Sequence, residues 1–195
     1  MLRVKALQVF YSQHQQPDTA VAPAMKELEH SLARTYDLYL LLIKLLVDLG
    51  DYAHKRVELA KNKKLATAED LSPNLRFVEN KVISLLAQNK EVQHKLSNHS
   101  VGFEDENLVR NLFNEMVSTE AYQEYMNHEQ GGLRNDKNFV LHLLAHHFNH
   151  SEELFTELEK KSIFWNDDIE FAVAAVYKTI NNIGKATDLA VELLP

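Results

Sequence analysis

The stretch LYLLLIKLLVDL, Leu38–Leu49, decides the fold. Its only polar members are Lys44 and Asp48, spaced four apart as helical neighbours are. A membrane span needs about 20 consecutive apolar residues, so this shorter, charged run reads as the buried middle of a helix outside any membrane. Working outward, Leu28, Leu32, Tyr36, Tyr39, Ile43, Leu46, Ala53 and Val57 continue a helical period. They predict one helix from Ala24 to Asn62, about 57 Å long at 1.5 Å rise per residue. Gly50 is its weakest point and the place for a bend. Lys61, Lys63 and Lys64 suit a helix C-terminus electrostatically.

The rest of the chain has the same character. Gly (5) and Pro (4) are scarce among 195 residues, too few for the turns of a sandwich, barrel or doubly wound sheet. The expectation is therefore an all-α bundle of about seven helices. A first helix over Leu2–Gln16 carries Val4, Leu7 and Tyr11 on one face as its anchor to the core, and Pro17 stops it. Ser72-Pro73 reads as an N-cap followed by proline at the first helical position, opening a helix that carries Leu75, Val78, Val82, Leu85, Leu86, Val92 and Leu96.

Two blocks follow, Asn107–Met126 and Asn138–Leu158, with Glu129–Lys137 and its Gly131-Gly132 as linker. Leu108, Val109, Leu112, Phe113 and Val117 of the first correspond to Phe139, Val140, Leu143, Leu144 and Phe148 of the second. Each reads as a helix, a tight joint and a shorter helix; duplication and coincident periodicity both give this pattern. A last long helix is expected from an Asn166 or Asp167 cap, directly preceded by Phe164-Trp165, with Trp165 packed beneath its start. Its apolar face is Ile169, Val173, Val176 and Ile180, and the apolar residues of the tail Lys185–Pro195 have no evident partner. The organisation expected is one region, 1–195, with a long-helix half (1–100) and a helical-hairpin half (101–195).

Several chemistries are excluded or weakened. Cys is zero, so there is no disulfide, thiolate metal site or thiol nucleophile. That composition, with no apolar h-region in MLRVKALQVFYSQHQQ, suits a reducing cytoplasmic home. No phosphate-cradling glycine loop or nucleophile elbow occurs, and no cofactor is expected; we read the chain as a non-enzyme. Glu27/His30 and Glu91/His94 match the Glu-x-x-His pairs of di-iron bundles, but both flank rather than join the apolar stripes and read as surface charge. His142, His146 and His150 stand at i, i+4 and i+8, with His147 beside them. Such a pair can share a divalent metal, while the plainer reading is the polar face of a helix.

The net charge of −7 is unevenly spread. Arg3 and Lys5 stand near the amino terminus without an acid, and Lys55, Arg56, Lys61, Lys63 and Lys64 face only Asp51 and Glu58. Residues 104–129 hold seven acids and one base, Arg110. The first regions suit phosphates and the acidic stretch Glu104–Glu129 suits a basic protein; solvated helix faces are the plainer reading.

LRVKALQVFYSQHQ (Leu2–Gln15) resembles the opening helix of the NusB family of bacterial transcription antitermination factors, where an Arg-rich stretch precedes an Ala-x-Gln-x-Φ-Tyr pattern. Ala6, Gln8, Phe10 and Tyr11 match it. Ala60–Lys81 and Lys160–Ile180 look like segments of the long NusB proteins of Bacteroidetes-type bacteria. The resemblance implies an all-helical, NusB-like RNA-binding fold. It implies a factor that meets boxA RNA and the ribosomal protein NusE on the transcription elongation complex at ribosomal RNA operons. Carried over by position, Arg3 and Lys5 belong to the RNA-binding region. The family has further arginines before the position of Arg3, and its long members continue past the equivalent of Pro195. The chain is therefore expected to be a shortened form. The alternatives are a helical protein-binding scaffold without RNA binding and a ferritin-like metal bundle.

Overall fold

A computed structural model describes residues 2–15, 21–99, 102–103, 105–129, 131–162, 165–184 and 191–193. Gln16, Pro17, Glu104, Phe164 and most of the tail Lys185–Pro195, which entered the expectations above, lie outside them. The architecture is an all-helical bundle organised on one long helix. In order the helices are α1 (Leu2–Gln15), α2 (Val21–Lys61), α3 (Ala68–Leu71), α4 (Lys81–Gln88), α5 (Lys90–His99), α6 (Glu106–Ser118), α7 (Glu120–Asn127), α8 (Leu133–His142), α9 (Glu152–Lys161) and α10 (Trp165–Asn182). These are more segments than the sequence suggests, because the helix expected over Leu75–Leu96 is split at Asn89 and a short α3 precedes it.

The spine is α2. Leu38, Leu40, Leu42, Ile43, Leu45, Leu46 and Leu49 are fully buried. Apolar residues point in every direction from this segment because neighbours surround it: α10, α1, α6, α4 and α5 all pack on α2. The two charges in the run neutralise each other, the Lys44 ammonium lying 2.7 Å from both oxygens of Asp48. α2 passes through Gly50 without interruption. A Cβ at Gly50 would lie 2.6 Å from Ile83 Cγ2, so the glycine admits α4 to close approach.

Ser72-Pro73 does not open a helix. Ser72 is the C-cap of the short α3, and residues 73–80 are non-helical, with a turn over 76–79. The helix start falls at buried Asn80, whose side-chain oxygen accepts from the backbone N–H groups of Val82 and Ile83. Asn89 then separates α4 from α5. The paired blocks of the sequence become α6–α7 and α8–α9, each jointed by a hydroxyl cap: Thr119 accepts from Tyr122 N–H and Ser151 from Leu154 N–H. α8 begins earlier than expected, at Leu133 after Gly132 with φ +130°. It continues through a π-helical turn, Leu143–His147, and a 3₁₀ turn, Phe148–His150.

A polar knot closes the α4–α7–α8 corner. Asp136 is buried; it accepts from the Tyr125 hydroxyl at 2.8 Å and from Lys81 N–H at 3.0 Å. Asn80 donates to the same hydroxyl at 3.1 Å, and Arg76 lies over the Tyr125 ring. Burial, then the Asp136 carboxylate, push the Tyr125 phenol above its ordinary pKa.

α10 starts at Trp165 itself, ahead of the expected Asn166 or Asp167 cap. Trp165 is buried as anticipated, its indole N–H donating to Arg34 C=O on α2 at 3.0 Å. In the tail, Val191 is buried, and Asn89 donates to its carbonyl at 3.4 Å, so this residue does have a partner. No described helix is long and apolar enough to cross a membrane.

Candidate functional site

The two residues expected to meet RNA part company in the structure. Arg3 is exposed. Lys5 is buried, its ammonium donating to Asp168 Oδ2 at 2.7 Å and to Ser31 Oγ at 2.8 Å. The Thr35 hydroxyl reaches the same carboxylate oxygen at 2.7 Å. A buried ammonium held by a buried carboxylate does not face a phosphate, so Lys5 is corrected from surface contact to internal tie between α1 and the head of α10.

Burying Lys5 turns α1 over. The face expected to anchor it is outside: Val4 is 57 % exposed, Leu7 69 %, Phe10 69 % and Tyr11 65 %. Ala6 and Val9 are half-buried with Lys5 against the core. Beside this contact lies a cleft of about 740 Å³, walled by α1 (Val4, Gln8, Val9), α2 (Glu27, His30, Ser31) and α10 (Asp167, Glu170, Phe171), with the Lys5–Asp168 pair within it. Sequence reasoning missed Asp168, Ser31 and Thr35. Asp168 looked like an ordinary helix-start acid favoured by the dipole, and the one available signal was a lysine between Val4 and Ala6.

The second cluster of basic residues is at the far end of α2. Tyr52, Lys55, Arg56, Leu59, Ala60, Lys63 and Asp70 line a cleft of about 440 Å³. Arg56 donates to Asn114 Oδ1 at 3.0 Å and lies 5.5 Å from the centroid of Phe113, whose ring meets Tyr52 edge-on. Two of the lysines are paired locally: Lys63 with Asp70 at 2.9 Å and Lys61 with Glu58 at 3.4 Å. The Thr67 backbone N–H, then the Lys63 ammonium, hold the Asp70 carboxyl down at about 2. Lys55 and Lys64 are exposed and make no ion pair among the described residues. From Thr35, where α1 is tied, to Arg56 the rise of a straight α2 is about 30 Å, so Arg3 and this cluster form two separate positive points.

The acidic stretch does not make a face remote from these bases. α6 packs beside the basic end of α2 through Phe113 and Asn114, and α7 packs on α6, with Glu115, Glu120, Glu124 and Glu129 exposed. Asp105 is engaged as the N-cap of α6.

The histidine row is split by the π-helical turn. The His142 and His146 rings lie 4.5 Å apart between centroids, both side chains being exposed, while His147 Nε2 is 3.0 Å from Leu112 O. Burial, then His146, lower the His142 pKa, with Glu124 opposing. Glu27, His30, Glu91 and His94 are all exposed. Among the described residues no three metal-capable side chains converge.

Comparison with protein-family models, with characterised proteins and with solved structures finds no match to this chain.

Proposed function

We propose that this protein is a NusB-type RNA-binding adaptor that meets boxA-like leader RNA together with the ribosomal protein NusE on the elongation complex, and that its RNA contact lies at the basic end of α2. The sequence resemblance supports the class. The observation that carries the location is the grouping of Lys55, Arg56 and Lys63 around a cleft with Tyr52 alongside. Cations that track a backbone beside rings on which bases stack are the general means of holding single-stranded nucleic acid. Arg3 adds a separate contact about 30 Å away, within reach of one extended strand but not of one nucleotide.

Fluorescence anisotropy with labelled boxA-like RNA, titrated with salt, with and without the NusE protein, tests this. Lys55, Arg56 and Lys64 engaging one phosphate each give a log–log salt slope of about −2 for a single strand. Arg3 adds about −0.7, so Lys55→Gln with Lys64→Gln should flatten the total slope by about half, and Arg3→Ala should change it by less than one. Binding that is absent, or unchanged in both variants, overturns the proposal. The second reading, a scaffold that binds only protein, is favoured by the exposed apolar face of α1; it predicts association with NusE and no RNA binding at any salt.

A further inference from the structure

The cleft between α1, α2 and α10 combines two features that a surface exposed only to water does not need. Three apolar side chains stand in its lining, Val4 and Phe171, 57 % and 42 % exposed, and half-buried Val9. Val4 also continues onto Leu7 and Tyr11, which are on the same side of α1. Around this apolar surface stand Glu27, Asp167 and Glu170, all exposed and none in an ion pair among the described residues. The one lysine in the lining is neutralised by Asp168 at 2.7 Å. The lining thus sets exposed apolar side chains beside three unpaired carboxylates.

That pattern selects among occupants. A nucleic acid would set phosphates against three carboxylates, with His30 the one basic side chain in the lining besides the paired Lys5. A metal ion would need converging ligands, and none converge among the described residues. A second copy docked face to face would set the same carboxylates against themselves, because a two-fold interface presents one patch to its own image, and the chain already carries a net charge of −7. A segment with an apolar stripe bordered by Lys or Arg meets every feature.

We propose that this cleft docks a basic amphipathic helix of a partner protein, its apolar side chains on Val4, Val9 and Phe171 and its cations on Glu27, Asp167 and Glu170. Helix-in-groove recognition supplies the geometry, with anchors at i, i+3 and i+4 lying along the channel between α1 and α10. The carboxylates set the register and raise the association rate, while the apolar anchors set the lifetime of the complex. The site is independent of RNA binding at the far end of α2, so either can fail alone.

The test uses the full chain and a labelled synthetic helix built from Leu, Ala and Lys with an apolar stripe. Anisotropy should show saturable binding that weakens as salt rises, and the same peptide with Glu in place of Lys should not bind. Glu27→Lys with Glu170→Lys, both at exposed positions, should weaken binding by about tenfold or more, since each reversal replaces an attraction by a repulsion. Glu115→Lys with Glu120→Lys makes the same change in net charge on α6–α7 and should leave binding within about twofold. Far-ultraviolet spectra and urea midpoints check that each variant folds, and Glu27→Gln with Glu170→Gln serves if the reversal does not. Equal loss in the two reversals means unspecific attraction to an acidic protein and overturns the proposal. So does equal binding of the Glu peptide, or tighter RNA binding to wild type that Glu27→Lys with Glu170→Lys abolishes. A protein that sediments as a dimer, and that Val4→Asp converts to monomer, makes the face a self-interface and also overturns it.

Discussion

Replacing Lys5 by Met should release α1 from the bundle. The ammonium and the Asp168 carboxylate are 7 % and 10 % exposed and 2.7 Å apart. At that separation and an effective dielectric of about 20 their attraction is about 6 kcal/mol before desolvation. Desolvation of two ions costs several kcal/mol each, so the intact pair contributes little net stability. Removing one partner is a different matter, because the buried carboxylate is left without its counter-charge, at a cost of about 3–5 kcal/mol. Among the α1 side chains whose burial is described, little else holds it. Ala6 and Val9 are half-buried and Val4, Leu7, Phe10 and Tyr11 are outside, so the remaining apolar burial contributes about 1–2 kcal/mol. The chain escapes the penalty by undocking α1 and letting water reach Asp168. A free helix of 14 residues is marginal in water, so α1 should then melt.

Amide hydrogen exchange resolves this element by element. In Lys5→Met the amides of α1 should exchange close to the unfolded rate while those of α2 near Leu38–Leu49 keep their protection. The urea midpoint should fall by less than the full penalty, since undocking precedes global unfolding. Lys5→Met with Asp168→Leu should restore much of the α1 protection, because removing both charges removes the penalty, and the Thr35 hydroxyl retains Ser31 C=O at 3.0 Å. Wild-type protection of α1 in Lys5→Met alone would refute the reasoning. The same effect makes Lys5→Ala a poor probe of RNA contact and Arg3→Ala a clean one.

Gly50→Ala should destabilise by about 1–3 kcal/mol in urea titrations, because its Cβ meets Ile83 at 2.6 Å inside a packed α2–α4 contact; a neutral or stabilising effect would show that α4 yields freely. Tyr125 keeps its proton in the folded state above the ordinary value of 10.0, so the unfolded state loses that proton first and stability falls as the pH rises past about 10. Tyr125→Phe should make that alkaline fall shallower, with Tyr122 and Tyr36, also raised by burial, supplying the remainder; equal steepness in the two proteins counts against the shift. Trp165 is the single tryptophan and is 4 % exposed, so native emission should be blue-shifted and move to the red at the main unfolding transition. Emission already at the solvent-exposed position in the native protein would contradict its packing beneath α10.

The helical class, the long second helix and the burial of Leu38–Leu49 were legible because they depend on period and on run length. A period along the chain is a local property, and Gly and Pro scarcity rules out most sheet topologies without any knowledge of contacts. The boundaries were less legible. Ser72-Pro73 has the composition of a helix start, yet Asn80 caps the helix, because its buried amide also bonds Tyr125 and that bond exists only once α7 has folded across it. Gly50 looked like a bend; only the approach of Ile83 shows that it is a contact.

The basic end of α2 was visible as a charge run, but the pairing of Lys63 with Asp70 and the aromatic neighbours Tyr52 and Phe113 were not. α1 carries the sharpest contrast. By composition alone the sequence determined that these 14 residues form a helix with Val4, Leu7 and Tyr11 on one side and Lys5 off it. Which side faces in follows from Asp168, 163 positions away, whose carboxylate at the head of α10 takes the Lys5 ammonium at 2.7 Å. With its lysine inward the helix gives the buried Asp168 carboxylate its counter-charge, which an orphaned buried ion would lack, and its apolar face is left outside.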